Sequence, residues 1–74
     1  MNLDGIIIVT GENCPACTKL INMMNKTGIK YRTKTQQELA IMKIRNIPVI
    51  LKDGVRICEG CPGSKQKLID ILRK

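Results

Sequence analysis

Thr10-Gly11-Glu12-Asn13-Cys14-Pro15-Ala16-Cys17 decides how the chain reads, because it joins the most strand-like run in the sequence to the start of a helix. Ile6-Ile7-Ile8-Val9, just before it, is a continuous β-branched run with the composition of a strand buried on both faces. Gly11 and Asn13 are turn residues. Pro15 suits the first helical position, where its fixed φ matches the helix and its missing N–H has no intrahelical partner to lose. Cys14 is then the N-cap, and Cys17 lies one turn in. Free N–H groups and the positive end of the macrodipole stabilise a thiolate at such a terminus, where a cysteine pKa of about 8.5 can fall to between about 3.5 and 7.5. The pattern points to a sulfur nucleophile placed to attack a disulfide.

Outward from this junction, a strand is predicted over about 5–10 and a helix over 15–27. Ala16, Leu20, Ile21, Met23 and Met24 are at near-helical spacing, and Gly28 is a left-handed C-cap. Ile29-Lys30-Tyr31-Arg32-Thr33 alternates apolar and polar, as a strand with one solvated face does. A strand–helix–strand crossover makes the first two strands parallel. Thr35-Gln36-Gln37-Glu38 has the form of a capping box and predicts a second helix over about 35–44, with Leu39, Met42 and Ile41 on its buried face. Ile47-Pro48-Val49-Ile50-Leu51 reads as a third strand opened by proline, and Asp53-Gly54 as a hairpin turn into a fourth strand from Val55 to Cys58. Ser64 caps a last helix bearing Leu68, Ile69, Ile71 and Leu72 and ending in Arg73-Lys74. The expected class is α/β, in the order βαβ-α-ββα, with a four-stranded mixed sheet flanked on both faces by three helices.

Composition narrows the chemistry. Seventy-four residues make one small domain, 1–74, whose core must come from Ile, Leu, Val and Met, because Tyr31 is the only aromatic residue. Met23, Met24 and Met42 read as fillers of that core. With no histidine, Ser-His and Cys-His nucleophile pairs and imidazole zinc sites are excluded. The net charge of +7 is spread along the chain, and neither stacking aromatics nor a DNA-binding motif accompanies it. No nucleic acid partner is expected; solvated lysines account for the charge, with acidic partners or anionic thiols the functional alternative. No apolar run is long enough for a signal sequence or a membrane span, so the expected location is cytoplasmic. In a reducing compartment, four cysteines in two Cys-x-x-Cys pairs suggest redox chemistry or metal binding.

The chain resembles the glutaredoxins of the thioredoxin-like fold. Carrying the resemblance are Cys14-Pro15-Ala16-Cys17 after the first strand, Ile47-Pro48 opening the third, the Asp53-Gly54 hairpin and a glycine-bearing loop before the last helix. Pro-Ala between the cysteines is closer to the glutaredoxin Pro-Tyr pair than to the Gly-Pro of thioredoxins. The resemblance implies a thiol-disulfide oxidoreductase in which Cys14 attacks and Cys17 resolves the mixed disulfide. It implies a cis Pro48 facing the sulfurs, with Pro15, the backbone of Ile47, Gly60 and Ser64 contributing to substrate binding. Substrates would be protein disulfides or glutathione mixed disulfides. The electron donor would be glutathione as co-substrate or a thioredoxin-reductase-like protein, and ribonucleotide reductase is a candidate acceptor. The protein would act as a monomer without a tightly bound cofactor or metal.

Cys58 and Cys61 lie outside that pattern. Three readings stand: a second redox pair shuttling electrons to or from Cys14 and Cys17; a zinc or iron–sulfur site using Cys14, Cys17, Cys58 and Cys61 without turnover; or Cys58 as a small buried residue with Cys61 an incidental loop thiol.

Overall fold

Ile7, Ile8 and Val9 are each fully buried, as a strand covered on both faces requires. The structure, a computed structural model, describes residues 4–73. Its elements are β1 (Ile6–Thr10), α1 (Pro15–Thr27), β2 (Arg32–Thr35), a single 3-10 turn (Ala40–Met42), β3 (Val49–Lys52), β4 (Val55–Glu59) and α2 (Lys65–Leu72). The strands form a mixed sheet in the order β2-β1-β3-β4, with β1 parallel to β2 and the other pairings antiparallel.

Alternation along β1 sends Ile8 to one face and Ile7 and Val9 to the other. Ile8 and Ile50 meet Leu20 and Met24 of α1 and Leu68 and Leu72 of α2, so both helices lie on one side. Ile7, Val9, Val49 and Leu51 form the second core layer with Leu39 and Ile44. Each fully buried aliphatic side chain contributes about 1.5–3 kcal/mol, which is how a chain this short holds its sheet between two apolar layers. Asp53 and Gly54 both have positive φ, 51° and 83°, the geometry of a type I′ turn, which matches the sheet twist. Asp53 also ties the hairpin to the base of β1: its carboxylate accepts the Gly5 N–H at 2.8 Å and its own N–H donates to the Gly5 carbonyl at 2.9 Å.

The α/β class, the four-stranded mixed sheet and the parallel β1–β2 pair agree with expectation, but among the described residues there are two helices, not three. The helix expected over 35–44 is replaced by turns and the 3-10 turn. Its capping box forms: Glu38 N–H donates to Thr35 Oγ1 at 3.1 Å, and Thr35 N–H to Glu38 Oε1 at 3.2 Å. That backbone N–H, aided by Lys34, holds the Glu38 carboxyl below its ordinary range. Propagation fails because the second core layer takes both Leu39 and Ile44, which are five residues apart. On an α-helix that spacing turns through about 140°, so no single face presents both. Instead Lys43 adopts a left-handed φ of 52°, and Gln36 Nε2 donates to the Ile44 carbonyl at 2.5 Å. Ile41, expected on the buried face, is 85% exposed.

Helices therefore cover one face of the sheet and an irregular segment covers the other. β2 also begins later than the alternation suggests. Ile29 and Tyr31 pack on the helical layer before the strand starts, and the Tyr31 hydroxyl donates to Asn25 Oδ1 at 2.7 Å. Lys74 of the expected last helix lies outside the described residues.

Candidate redox-active site

β1 and β2 end side by side, with Thr10 opposite Thr35 in the parallel register, and ligands of open α/β sheets bind beyond such carboxyl ends. The Gly11–Asn13 turn leaves that edge, with Asn13 at a left-handed φ of 52° that asparagine tolerates better than most residues. Cys14 follows in extended conformation as the N-cap of α1, with Pro15 in the first turn. Cys14 and Cys17 are joined as a disulfide with their Cα atoms 5.2 Å apart. The Cys17 N–H donates to Cys14 Sγ at 3.1 Å. Cys14 is half-buried, whereas Cys17 is 4% exposed, so only one of the two sulfurs is open to a partner molecule.

An open groove of about 550 Å³ runs along this disulfide, lined by Gly11, Asn13, Cys14, Pro15, Cys17 and Ile21 among others. Ile47, Pro48, Gly60 and Ser64 do not line it. The Ile47–Pro48 peptide is cis and Pro48 is buried. Ile47 sits behind the active-site turn: a Cβ on Gly11 would come within 2.5 Å of Ile47 Cδ1, so glycine there permits a close approach. Ser64 caps α2, its hydroxyl accepting the Lys67 N–H at 3.2 Å.

Gly60 has a φ of 84° and donates its N–H to the Pro48 carbonyl at 2.7 Å, tying the last loop to the cis-proline. Replacing Gly60 with alanine forces a side chain into left-handed backbone, which costs roughly 1–2 kcal/mol. The expected outcome is a lower urea midpoint with an unchanged denaturant slope.

Gln36 is a neighbour of the site that the sequence reading missed. Its backbone N–H donates to the Thr10 carbonyl at 2.7 Å, and it lines a second groove, of about 310 Å³, on the other side of the Gly11 turn. Its position directly after a parallel strand was the available signal; the capping-box reading drew attention away from it.

Cys58 and Cys61 are free thiols, half-buried against the helical core layer. Among the described residues, no group of three or more cysteine or carboxylate side chains is placed to hold a metal ion. The four-thiolate reading therefore finds no geometric support there. Burial, and secondarily the adjacent Cys61 and Glu59, push the Cys58 thiol above its ordinary value. A raised thiol pKa favours the protonated form in the fold, so the associated stability is present below the unfolded pKa and is lost as pH rises through the folded one. Iodoacetamide is accordingly expected to label Cys58 faster in urea than in native protein at about pH 8–9, with the rates converging in more alkaline solution. Mass spectrometry of the labelled peptide measures both rates.

No family model and no curated protein sequence matches the chain at a significant level. Its structure is similar to a buckwheat glutaredoxin–glutathione complex, at a TM-score of 0.67 and 18% identity over 97% of this chain and 79% of that one. It is also similar to the Malassezia sympodialis thioredoxin Mala s 13, at 0.61 and 18% over 95% and 76%. A reduced Schistosoma mansoni thioredoxin pre-protein follows at 0.58 and 13%, over 95% and 78%. The chain thus has the thioredoxin fold that glutaredoxins and thioredoxins share. Among the described residues no helix is long and apolar enough to cross a membrane.

Proposed function

We propose that the protein is a thiol-disulfide oxidoreductase of glutaredoxin type. The observation that carries this reading is the Cys14–Cys17 disulfide at the start of α1, with the Cys17 N–H directed at Cys14 Sγ. In the reduced protein the same N–H and the helix dipole favour the Cys14 thiolate over the thiol. The thiolate attacks one sulfur of a substrate disulfide and expels the other as a thiolate, leaving a mixed disulfide on Cys14. Cys17, shielded from bulk solvent, then attacks Cys14 Sγ, restores the intramolecular disulfide and releases the second substrate sulfur as thiol. A donor thiol pair returns the site to the dithiol by the reverse exchange.

On this reading the substrates are protein disulfides or glutathione mixed disulfides, and the protein works as a monomer. Glutathione is the favoured small thiol, because the structurally similar buckwheat glutaredoxin is a glutathione complex. A thioredoxin-reductase-like donor and ribonucleotide reductase as acceptor are the alternative protein partners. On this reading Pro15 positions the bound peptide or glutathione in the groove, while Ile47, Pro48, Gly60 and Ser64, which lie outside its lining, act by supporting the turn and loop around it.

The test is substrate trapping. Cys17→Ser removes the resolving sulfur, so incubation with glutathione disulfide is expected to leave a stable adduct on Cys14, while wild type returns to its internal disulfide. Intact mass and peptide mapping read the outcome. An unmodified Cys14 in the folded variant would refute the assignment.

A further inference from the structure

In a regular strand, residues three apart point to opposite faces and lie about 10 Å from one another. Cys58 lies near the end of β4 and Cys61 just past it, yet both pack on the helical core layer. Two backbone features account for it. Opposite Ile50 and Leu51 of β3 stand Cys58 and Arg56, so Ile57 is an extra residue in β4, and this bulge leaves Cys58 paired with Ile50 on the helical side. Gly60, at a φ of 84°, then turns the chain so that Cys61 returns to the side that Cys58 occupies. Its N–H, fixed on the Pro48 carbonyl at 2.7 Å, holds that turn in place.

We propose that Cys58 and Cys61 form a second dithiol–disulfide couple, independent of Cys14 and Cys17, which is oxidised by low-molecular-weight disulfides. Burial disfavours the Cys58 thiolate, so the first attack falls to Cys61. The Cys61 thiolate attacks one sulfur of the small disulfide, whose S–S bond breaks and releases one thiolate. Cys58 then gives up its proton to solvent, and its sulfur attacks Cys61 Sγ and expels the second small thiolate. The protein loses two thiol hydrogens and gains one disulfide; the small disulfide takes up two electrons and two protons and leaves as two thiols. The couple differs from the active-site pair in position, since it follows a strand and precedes Ser64, the cap of α2, instead of capping a helix itself.

The experiment equilibrates native protein with glutathione and glutathione disulfide over a series of ratios, then blocks free thiols and digests with trypsin. Cleavage after Arg56 and Lys65 isolates both sulfurs in one peptide, Ile57–Lys65. Wild type and a Cys14→Ser/Cys17→Ala variant are both expected to yield that peptide with an internal disulfide. The midpoint should lie about tenfold further toward reducing ratios than in urea, because the folded loop already holds both sulfurs on one side. A peptide with two blocked thiols at every ratio, a persisting glutathione adduct on Cys61, or equal midpoints in native and denatured protein would overturn the proposal. Should the double variant not fold, the wild-type peptide alone decides. Because Cys14 and Cys17 are absent from the readout, failure here is separable from failure of the substrate-trapping test.

Discussion

Replacing Cys14 with serine is expected to abolish disulfide reduction while leaving the fold intact. Serine is a preferred N-cap, and its hydroxyl can accept the Cys17 N–H that Cys14 Sγ now accepts at 3.1 Å. The start of α1 therefore keeps its hydrogen bond, and the change is confined to the reacting atom. An alcohol is not ionised at neutral pH and forms no disulfide, so loss of turnover on the order of 10³-fold or more is expected, as for deletion of other covalent nucleophiles. Reduction of insulin or hydroxyethyl disulfide measures the loss, and circular dichroism establishes that the variant is folded. Turnover near the wild-type level in the folded variant would remove Cys14 from the mechanism and the proposed function with it.

Leu20→Ala is expected to produce the largest loss of stability. Leu20 is 0% exposed and stands in the helical core layer with Ile8, Ile50 and Leu68. Truncating a fully buried leucine to alanine costs about 2–5 kcal/mol, partly from lost burial and partly from the cavity left behind. A folded chain of 74 residues has about 4–11 kcal/mol in all, at roughly 0.05–0.15 kcal/mol per residue. The variant should melt about 10 °C or more below wild type, or fail to fold. Ile41→Ala, at a position 85% exposed, is the matched control and should stay within about 0.5 kcal/mol of wild type. Equal losses in the two variants would mean that the two residues do not occupy the environments described. Because Cys14 caps α1 and Cys17 lies in its first turn, loosening its packing should also lower activity before the protein unfolds globally, as the helix terminus loses its fixed aim on the groove.

Much of the architecture was legible because local chemistry and global packing agree. The β-branched run 6–9, Pro15 at the helix start, Gly28 at its end and the Asp53-Gly54 turn each have one backbone solution, and each appears where expected. The segment after Thr35 was misread because its capping box is real yet local. Two hydrogen bonds can close one turn of helix, but the following turns depend on which side chains the sheet needs to bury. Leu39 and Ile44 sit at a spacing no helix face can serve. The same shortfall hid Gln36, whose importance comes from standing just past the end of β2, where its N–H donates to the Thr10 carbonyl.

Cys14-Pro15-Ala16-Cys17 carried its own placement, because proline chemistry and cysteine spacing act within one turn of helix and need no distant partner. The contacts that support this turn from behind are long-range. Gly11 meets Ile47 across the molecule, and Gly60 holds the Pro48 carbonyl; neither contact is encoded in nearby residues, since both depend on β3 lying between β1 and β4. The bulge that puts Cys58 on the helical face is of the same kind, a register shift set by strand pairing and invisible to a period-two reading of the sequence. Short-range stereochemistry thus marked the Cys14–Cys17 pair, and sheet topology determined what surrounds it.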